Sequence, residues 1–352
     1  MQPDFTKLLM DWNIAGNTRQ MPWKGERDPY RIWLSEIMLQ QTRVEQGLAY
    51  YQRFIDNFPT ITDLAMAADE TVFKLWEGLG YYSRCRNLLV TARFIAFDLG
   101  GVFPDTYEDI LKLKGIGTYT AAAIASFAFG HPFAVLDGNV FRVISRYFGI
   151  STPIDTTDGK KLYNQLANTL LDFTQPGKYN QSIMDFGAVI CKPRQPLCDS
   201  CVLRHECEAL KHGWVNELPV KSKKIQRKTR YFYYFVLSFK DHFYINKRSG
   251  SDIWKDLHEW LLLESADEIA PDEAILTEVL NTILSSFSGR IVSISEPELQ
   301  HLTHQTIKGR FIRVHLKKAL QPDKGLQLVA KKDLKKLAFP KFINAYLEAH
   351  PL

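Results

Sequence analysis

Four of the five cysteines, Cys191, Cys198, Cys201 and Cys207, fall within seventeen residues, and no other feature limits the possible folds as tightly. They are separated by six, two and five residues. Four thiolates this close in sequence can converge on one centre, either a [4Fe–4S] cluster or a structural zinc ion, and spacing alone does not choose between them. In a reducing compartment such a set reads as a metal site rather than a disulfide framework. Lys192, Arg194 and Arg204 lie in the same loop, so a metal-stapled loop here would also offer cations to phosphate. The fifth cysteine, Cys85, stands alone between Arg84 and Arg86.

A chain of 352 residues has room for two domains, and 45% hydrophobic with 24% charged residues is a globular rather than a disordered composition. The net charge of +5 permits a polyanionic partner without demanding one. No apolar run reaches membrane-spanning length, and the start Met1-Gln2-Pro3-Asp4-Phe5 lacks the regions of a signal peptide, so the chain reads as cytoplasmic. Residues 1–211 read as mainly α: segments 30–56, 69–77, 85–98, 118–129 and 139–148 space their apolar residues by three and four. A basic linker is expected over 212–229, where Lys221 to Arg230 carries six basic residues and no acid. Residues 230–352 read as α+β, with strands at Tyr231–Phe239, Trp260–Leu263, Arg290–Ile294 and Arg310–Leu316 and a helix over 272–286.

Two stretches carry carboxylates in unusual settings. In Tyr30 to Thr42, a helix expected after Asp28-Pro29, Glu36 shares a face with Ile32, Trp33, Leu39 and Gln40. No basic residue stands three or four positions away, so desolvation would raise its pKa and suit it to proton donation. A buried glutamate satisfied by backbone or by Gln40 is the competing reading. Further on, Leu113-Lys114-Gly115-Ile116-Gly117-Thr118-Tyr119 joins two helical stretches. Glycines there let a backbone approach phosphate closely, although a plain helix–helix turn uses the same residues. Asp137 follows twenty residues after Gly117 and precedes a helix, either as its N-cap or as a carboxylate at the mouth of a cleft.

Taken together, the hairpin, the trailing aspartate and the four-cysteine loop resemble the endonuclease III superfamily of helix-hairpin-helix DNA glycosylases. Trp33 to Thr42, Gly78-Leu79-Gly80-Tyr81-Tyr82 and Leu136 to Val140 are similar to the adenine-glycosylase (MutY) branch, strongly over the first ~220 residues and more faintly beyond. The resemblance implies a [4Fe–4S] cluster on the four cysteines. It implies catalysis by Glu36 as proton donor and Asp137 as anion, with Tyr119 assisting, the two-carboxylate division of labour of glycosidases. Arg19, Trp23, Leu39 and Gln181 would line the adenine pocket, with Lys24 where an arginine is common. Gln41 and Tyr81 would wedge into the duplex, and Gly115, Gly117, Thr118 and Asn139 would contact DNA. Tyr119 stands where the strand-cleaving members carry a Schiff-base lysine, which implies a monofunctional hydrolase; Lys114 is the nearest amine in sequence.

By the same resemblance, 230–352 would be a Nudix-like domain that recognises 8-oxoguanine through Leu302, Thr303 and His304. Residues 264–282 lack the acidic pattern of a Nudix box, so no pyrophosphatase activity is expected. The expected partner is double-stranded DNA carrying adenine opposite 8-oxoguanine or guanine, met by a nucleoid-associated monomer without a membrane. A non-catalytic mismatch binder would lack one of the two carboxylates, and both are present.

Overall fold

Both expected textures, helical then mixed, are found in the computed structural model, which describes residues 2–222, 227–270, 272–284, 287–320 and 325–352. The chain forms two compact units, Met1–Met66 with Arg86–Lys224, and Ala67–Cys85 with Ile225–Leu352. The segment 67–85, expected with the helical first domain, thus groups with the second unit. The cause lies in polar bonds that no local pattern announces: Glu77 accepts from the Phe339 N–H at 2.7 Å, Lys74 donates to the Leu337 carbonyl at 3.0 Å, and Lys247 pairs with Glu70 at 3.1 Å.

The first unit is helical. One of its cores gathers Phe5, Leu9 and Trp12 from the helix Gln2–Ala15, Val140, Val143 and Ile144 from Gly138–Phe148, and Tyr179, Ile183 and Phe186 from Pro176–Val189. The helix Pro29–Leu39 starts as its sequence dictates, with Pro at the first turn and Asp28 accepting from the Tyr30 N–H at 2.9 Å. Eight of its residues are buried, Glu36 among them. The helices Tyr107–Lys112 and Thr118–Ala128 flank the glycine turn, the first capped by Thr106. Part of the expected linker is folded: Leu218 is buried, the Ile154 N–H donates to the Val220 carbonyl, and Asp155 accepts from Ser222. Residues 223–226 of the basic stretch lie outside the described residues, as do 285–286 of the helix expected over 272–286.

The second unit holds a mixed sheet of eight strands: β1 (Lys228–Phe239), β2 (His242–Lys247), β3 (His258–Glu259), β4 (Leu261–Ser265), β5 (Gly289–Ile294), β6 (Glu298–His301), β7 (Gln305–Leu316) and β8 (Gln327–Ala330). β1 and β7 run parallel at the centre, in register from Lys228 opposite Gln305 to Ser238 opposite His315. Six consecutive residues of β1, Phe232–Leu237, are buried because both faces are covered. Phe232, Tyr234 and Val236 pack with Phe311, Phe342 and Tyr346, the last two on the helix Lys341–Ala349. Tyr233, Phe235 and Leu237 pack with Leu276 and Leu280 of the helix Glu273–Ile283. β2, β3, β6, β8 and the last helix were not read from the sequence.

Candidate active site

A cavity of about 1000 Å³ opens in the first unit, and Glu36, Tyr119 and Asp137 all line it. Glu36 is 7% exposed. Burial pushes its carboxyl up to about 7, with the Asp137 charge adding to the rise and a hydrogen bond from the Tyr119 hydroxyl opposing it. The neighbouring Gln40 amide donates to Thr120 Oγ1 at 3.2 Å. Tyr119 is held well above the ordinary phenol range by burial and by both carboxylates, so its hydroxyl remains a donor.

Asp137 is at once the helix N-cap and a cavity wall, which unites its two possible roles. It accepts from the backbone N–H groups of Asn139 and Val140, each at 2.8 Å, and from Asn139 Nδ2 at 2.6 Å. Burial raises its carboxyl, while those three donors and the charge of Arg142 lower it. The environments of the two carboxylates therefore differ in kind: among the described residues Glu36 has one donor and Asp137 three. Asn139, expected at the DNA, is built into the support of Asp137; its Oδ1 accepts from Arg142 Nη2 at 2.8 Å. Arg142 also donates to the Gly187 and Cys191 carbonyls, both at 2.7 Å, and so ties the Asp137 helix to the start of the cysteine loop.

Arg19, Trp23, Leu39, Gln181, Gln41, Gly117, Thr118 and Asn139 line the same cavity. Gly47 makes room for Leu39: a Cβ there would lie 2.8 Å from Leu39 Cδ2. Lys24 and Lys178 also line the cavity, whereas Lys114, the nearest amine in sequence, is not among its walls. The residue that sequence reading missed is Asp185. It is fully buried and binds Arg19 at 2.8 Å, Lys24 at 3.1 Å, Gln181 at 3.0 Å and Asn17 at 2.8 Å. Lys24 thus lines the cavity while its ammonium pairs with buried Asp185.

Gly115 has φ +79°, and a Cβ on it would lie 2.6 Å from Asn87 Cβ, so the turn requires glycine there. Gly117 has φ −101° and nothing within 4 Å of a built Cβ. As N-cap it gives no side-chain bond to the following helix. Gln41 (φ 57°) and, in the second unit, Tyr81 (φ 48°) hold left-handed backbone that non-glycine residues rarely adopt. Tyr81 is exposed, lies under the Arg84 guanidinium, and shares a 2.7 Å hydrogen bond with Thr303 Oγ1. Thr303 sits in the turn between β6 and β7, beside Leu302, which packs on the core of its unit, and His304, which is exposed. Within 264–282, read as lacking a Nudix box, Glu264 and Glu268 are paired with Arg230 and Lys308.

Cys191, Cys198, Cys201 and Cys207 border one small pocket with Arg146 and Arg204, and none forms a disulfide. Arg146 Nη1 donates to Cys191 Sγ at 3.4 Å, and backbone N–H groups point to the sulfurs of Cys201 and Cys207. Donors of this kind stabilise thiolate ligands. Among the described residues no set of three His, Cys, Asp or Glu side chains is spaced as a metal-ion site. No described helix is long and apolar enough to cross a membrane.

Residues 34–168 match the family of HhH-GPD superfamily base excision DNA repair proteins. An adenine DNA glycosylase of Buchnera aphidicola subsp. Baizongia pistaciae is 36% identical over 255 residues, 72% of each chain. The human adenine DNA glycosylase is 43% identical over 215 residues, 58% of this chain and 39% of that protein. A thermostable thymine-DNA glycosylase superposes with a TM-score of 0.56 at 32% identity, covering 60% of this chain and 97% of that one. Endonuclease III in a non-covalent DNA complex superposes at 0.52 with 20% identity, covering 60% and 98%, and shares the fold. With the hairpin in its helical unit and the Buchnera relative, 36% identical, matched over 72% of its length, the chain belongs to the adenine DNA glycosylase family.

Proposed function

We propose that this chain removes adenine mispaired with 8-oxoguanine or guanine by hydrolysing its N-glycosidic bond, without a strand-cleaving lyase step. The observation that carries the reading is the pairing in one cavity of a carboxyl raised to about 7, Glu36, with a second carboxylate held by three donors, Asp137. A base inside the duplex is out of reach, so it must first be flipped into the cavity, at a cost of a few kcal/mol that a mispair reduces. Protonated Glu36 then donates to adenine N7, and the C1′–N9 bond breaks with the electron pair leaving on the base. Asp137 offsets the positive charge that develops on the sugar. Tyr119 keeps Glu36 oriented. Glu36, now a carboxylate, takes a proton from the incoming water, whose oxygen bonds to C1′.

A wedge role in the duplex is assigned to Gln41 and, separately, to Tyr81 of the other unit, which gives the left-handed backbone of each a use. Gly117, free of packing, lets a phosphate approach the uncapped N–H groups at Thr118, with Gly115 shaping the turn. Four iron–sulfur bonds of a [4Fe–4S] cluster held by Cys191, Cys198, Cys201 and Cys207 would brace the loop that Arg142 joins to the Asp137 helix. The second unit, with its parallel central pair and helices on both faces, is read as a Nudix-like domain whose Thr303 and His304 meet 8-oxoguanine; Leu302 contributes packing. Tyr119 supplies no amine for a Schiff base. Borohydride during turnover should therefore trap no protein–DNA adduct; trapping would direct attention to Lys24 and Lys178.

The deciding experiment is a single-turnover glycosylase assay on duplexes with adenine opposite 8-oxoguanine, guanine, cytosine or thymine. Excision opposite the first two and little opposite the others is expected. Absence of excision from all four would overturn the reading.

A further inference from the structure

We infer that Asp185 fixes the polarity of the base pocket: it holds the Gln181 amide so that the carbonyl, and not the NH₂, faces the flipped base. The inference deepens the adenine-excising function proposed above and rests on it. Gln181 lines the cavity and places Nε2 3.0 Å from Asp185 Oδ1. A carboxylate only accepts, so the amide atom beside it must be the donor. An amide turned the other way would set oxygen against oxygen in a fully buried spot.

The other partners of Asp185 cannot take the place of Gln181. Arg19 Nη1 shares Oδ1 at 2.8 Å, and Lys24 Nζ lies 3.1 Å from Oδ2; both are donors only. Asn17 Nδ2 donates to Oδ2 at 2.8 Å, but its amide is already fixed by bonds to Asn13 Oδ1 at 2.7 Å and from the Arg19 N–H at 3.1 Å. Gln181 alone of the four can turn over without losing another bond. The Gln181 Oε1 atom has no protein partner among the described residues and is left to the cavity.

A carbonyl facing the pocket accepts from the exocyclic amine of adenine. It repels the carbonyl that guanine or hypoxanthine carries at the same ring position. Asp185 touches no part of the base and acts as a positioning residue through Gln181.

The readout is the ratio of single-turnover excision rates, adenine over hypoxanthine, each opposite 8-oxoguanine in the same sequence, with the full chain. Gln181→Met removes the acceptor from the pocket wall and should lower that ratio about ten- to hundredfold. Gln181→Glu should keep it, since a protonated acid donates to Asp185 and still presents a carbonyl. Asp185→Asn should lower it as well: one amide oxygen cannot accept from all four donors, the hold on Gln181 Nε2 is weakened, and the Gln181 NH₂ is free to turn to the pocket. Circular dichroism establishes that each variant is folded, and Gln181→Met keeps the test open should Asp185→Asn not fold. An unchanged ratio in active Gln181→Met, or in folded and active Asp185→Asn, overturns the inference while leaving adenine excision in place. A parent chain that excises neither base overturns the proposed function instead.

Discussion

At Glu36 the demands of folding and of chemistry meet on one proton. A carboxyl raised to about 7 donates only while protonated, so excision should slow about tenfold per pH unit above that value. Glu36→Gln should abolish excision, a loss of at least ~10²–10⁴-fold, and leave mismatch binding nearly intact; substantial turnover by the purified variant would remove Glu36 from the mechanism. The same group links stability to pH. Between the ordinary glutamate value of 4.5 and about 7, the folded chain holds a proton that the unfolded chain has lost, so stability falls as pH rises through that window. The loss is on the order of 3 kcal/mol once pH exceeds 7. Glu36→Gln carries no such proton. Its melting temperature relative to the parent should therefore rise from pH 5 to pH 8, and a constant gap would mean that Glu36 is not raised. Glu36 was legible in sequence because cap, apolar face and carboxylate lie within fourteen residues of each other. Asp185 was not: its bonds to Arg19 and Asn17 span 166 and 168 positions, and nothing on its own helix marks it.

Elements show where a residue type answers to the fold and where it answers to something outside it. Gly115→Ala should destabilise the first unit by roughly 1–3 kcal/mol, because φ is +79° and Asn87 blocks the Cβ. Gly117→Ala meets no neighbour and should cost under about 1 kcal/mol, the loss of a fair N-cap. Yet Gly117→Ala should weaken DNA binding in fluorescence anisotropy, since its methyl would stand where the phosphate approaches. Equal affinity in parent and Gly117→Ala would make the turn a plain helix connection. In the cysteine loop, purified protein should be yellow-brown with about four irons per chain, and Cys198→Ser should lower iron content and soluble yield together. One zinc and no iron would replace the cofactor and leave the fold as described. Helices over 30–39 and 138–148 were legible because the caps Asp28 and Asp137 agree with apolar spacing, and 118–128 because apolar spacing follows the glycine turn. β6 and β8 are four residues each with none buried, too short for alternation to register, and Phe342, Ile343 and Tyr346 mark the last helix by only one face.

For the molecule as a whole, the lesion-reading role proposed for the second unit bears on the chain path. The segment 67–85 lies inside the stretch that matches the repair family, yet it groups with 225–352. Tyr81, exposed on strained backbone, reaches Thr303 through a single hydrogen bond, so an expected wedge and an expected lesion reader are joined inside one unit. If Thr303 and His304 meet 8-oxoguanine, the double change Thr303→Ala with His304→Ala removes the hydroxyl that holds Tyr81 and the exposed imidazole together. Losing one or two such contacts corresponds to roughly 1–3 kcal/mol, about ten- to hundredfold, of preference for 8-oxoguanine over guanine. Chemistry on adenine opposite guanine should change little, because Glu36 and Asp137 line a cavity of the other unit. Tyr81→Phe separates the two contributions: it leaves Thr303 in place but unbonded, so a smaller loss assigns the rest of the preference to direct contact with the lesion. The measurements are single-turnover rate and affinity on both mispairs for parent, double variant and Tyr81→Phe. A ratio unmoved in the double variant would assign lesion preference to the helical unit and reduce the Thr303 turn to a hairpin whose threonine only steadies Tyr81.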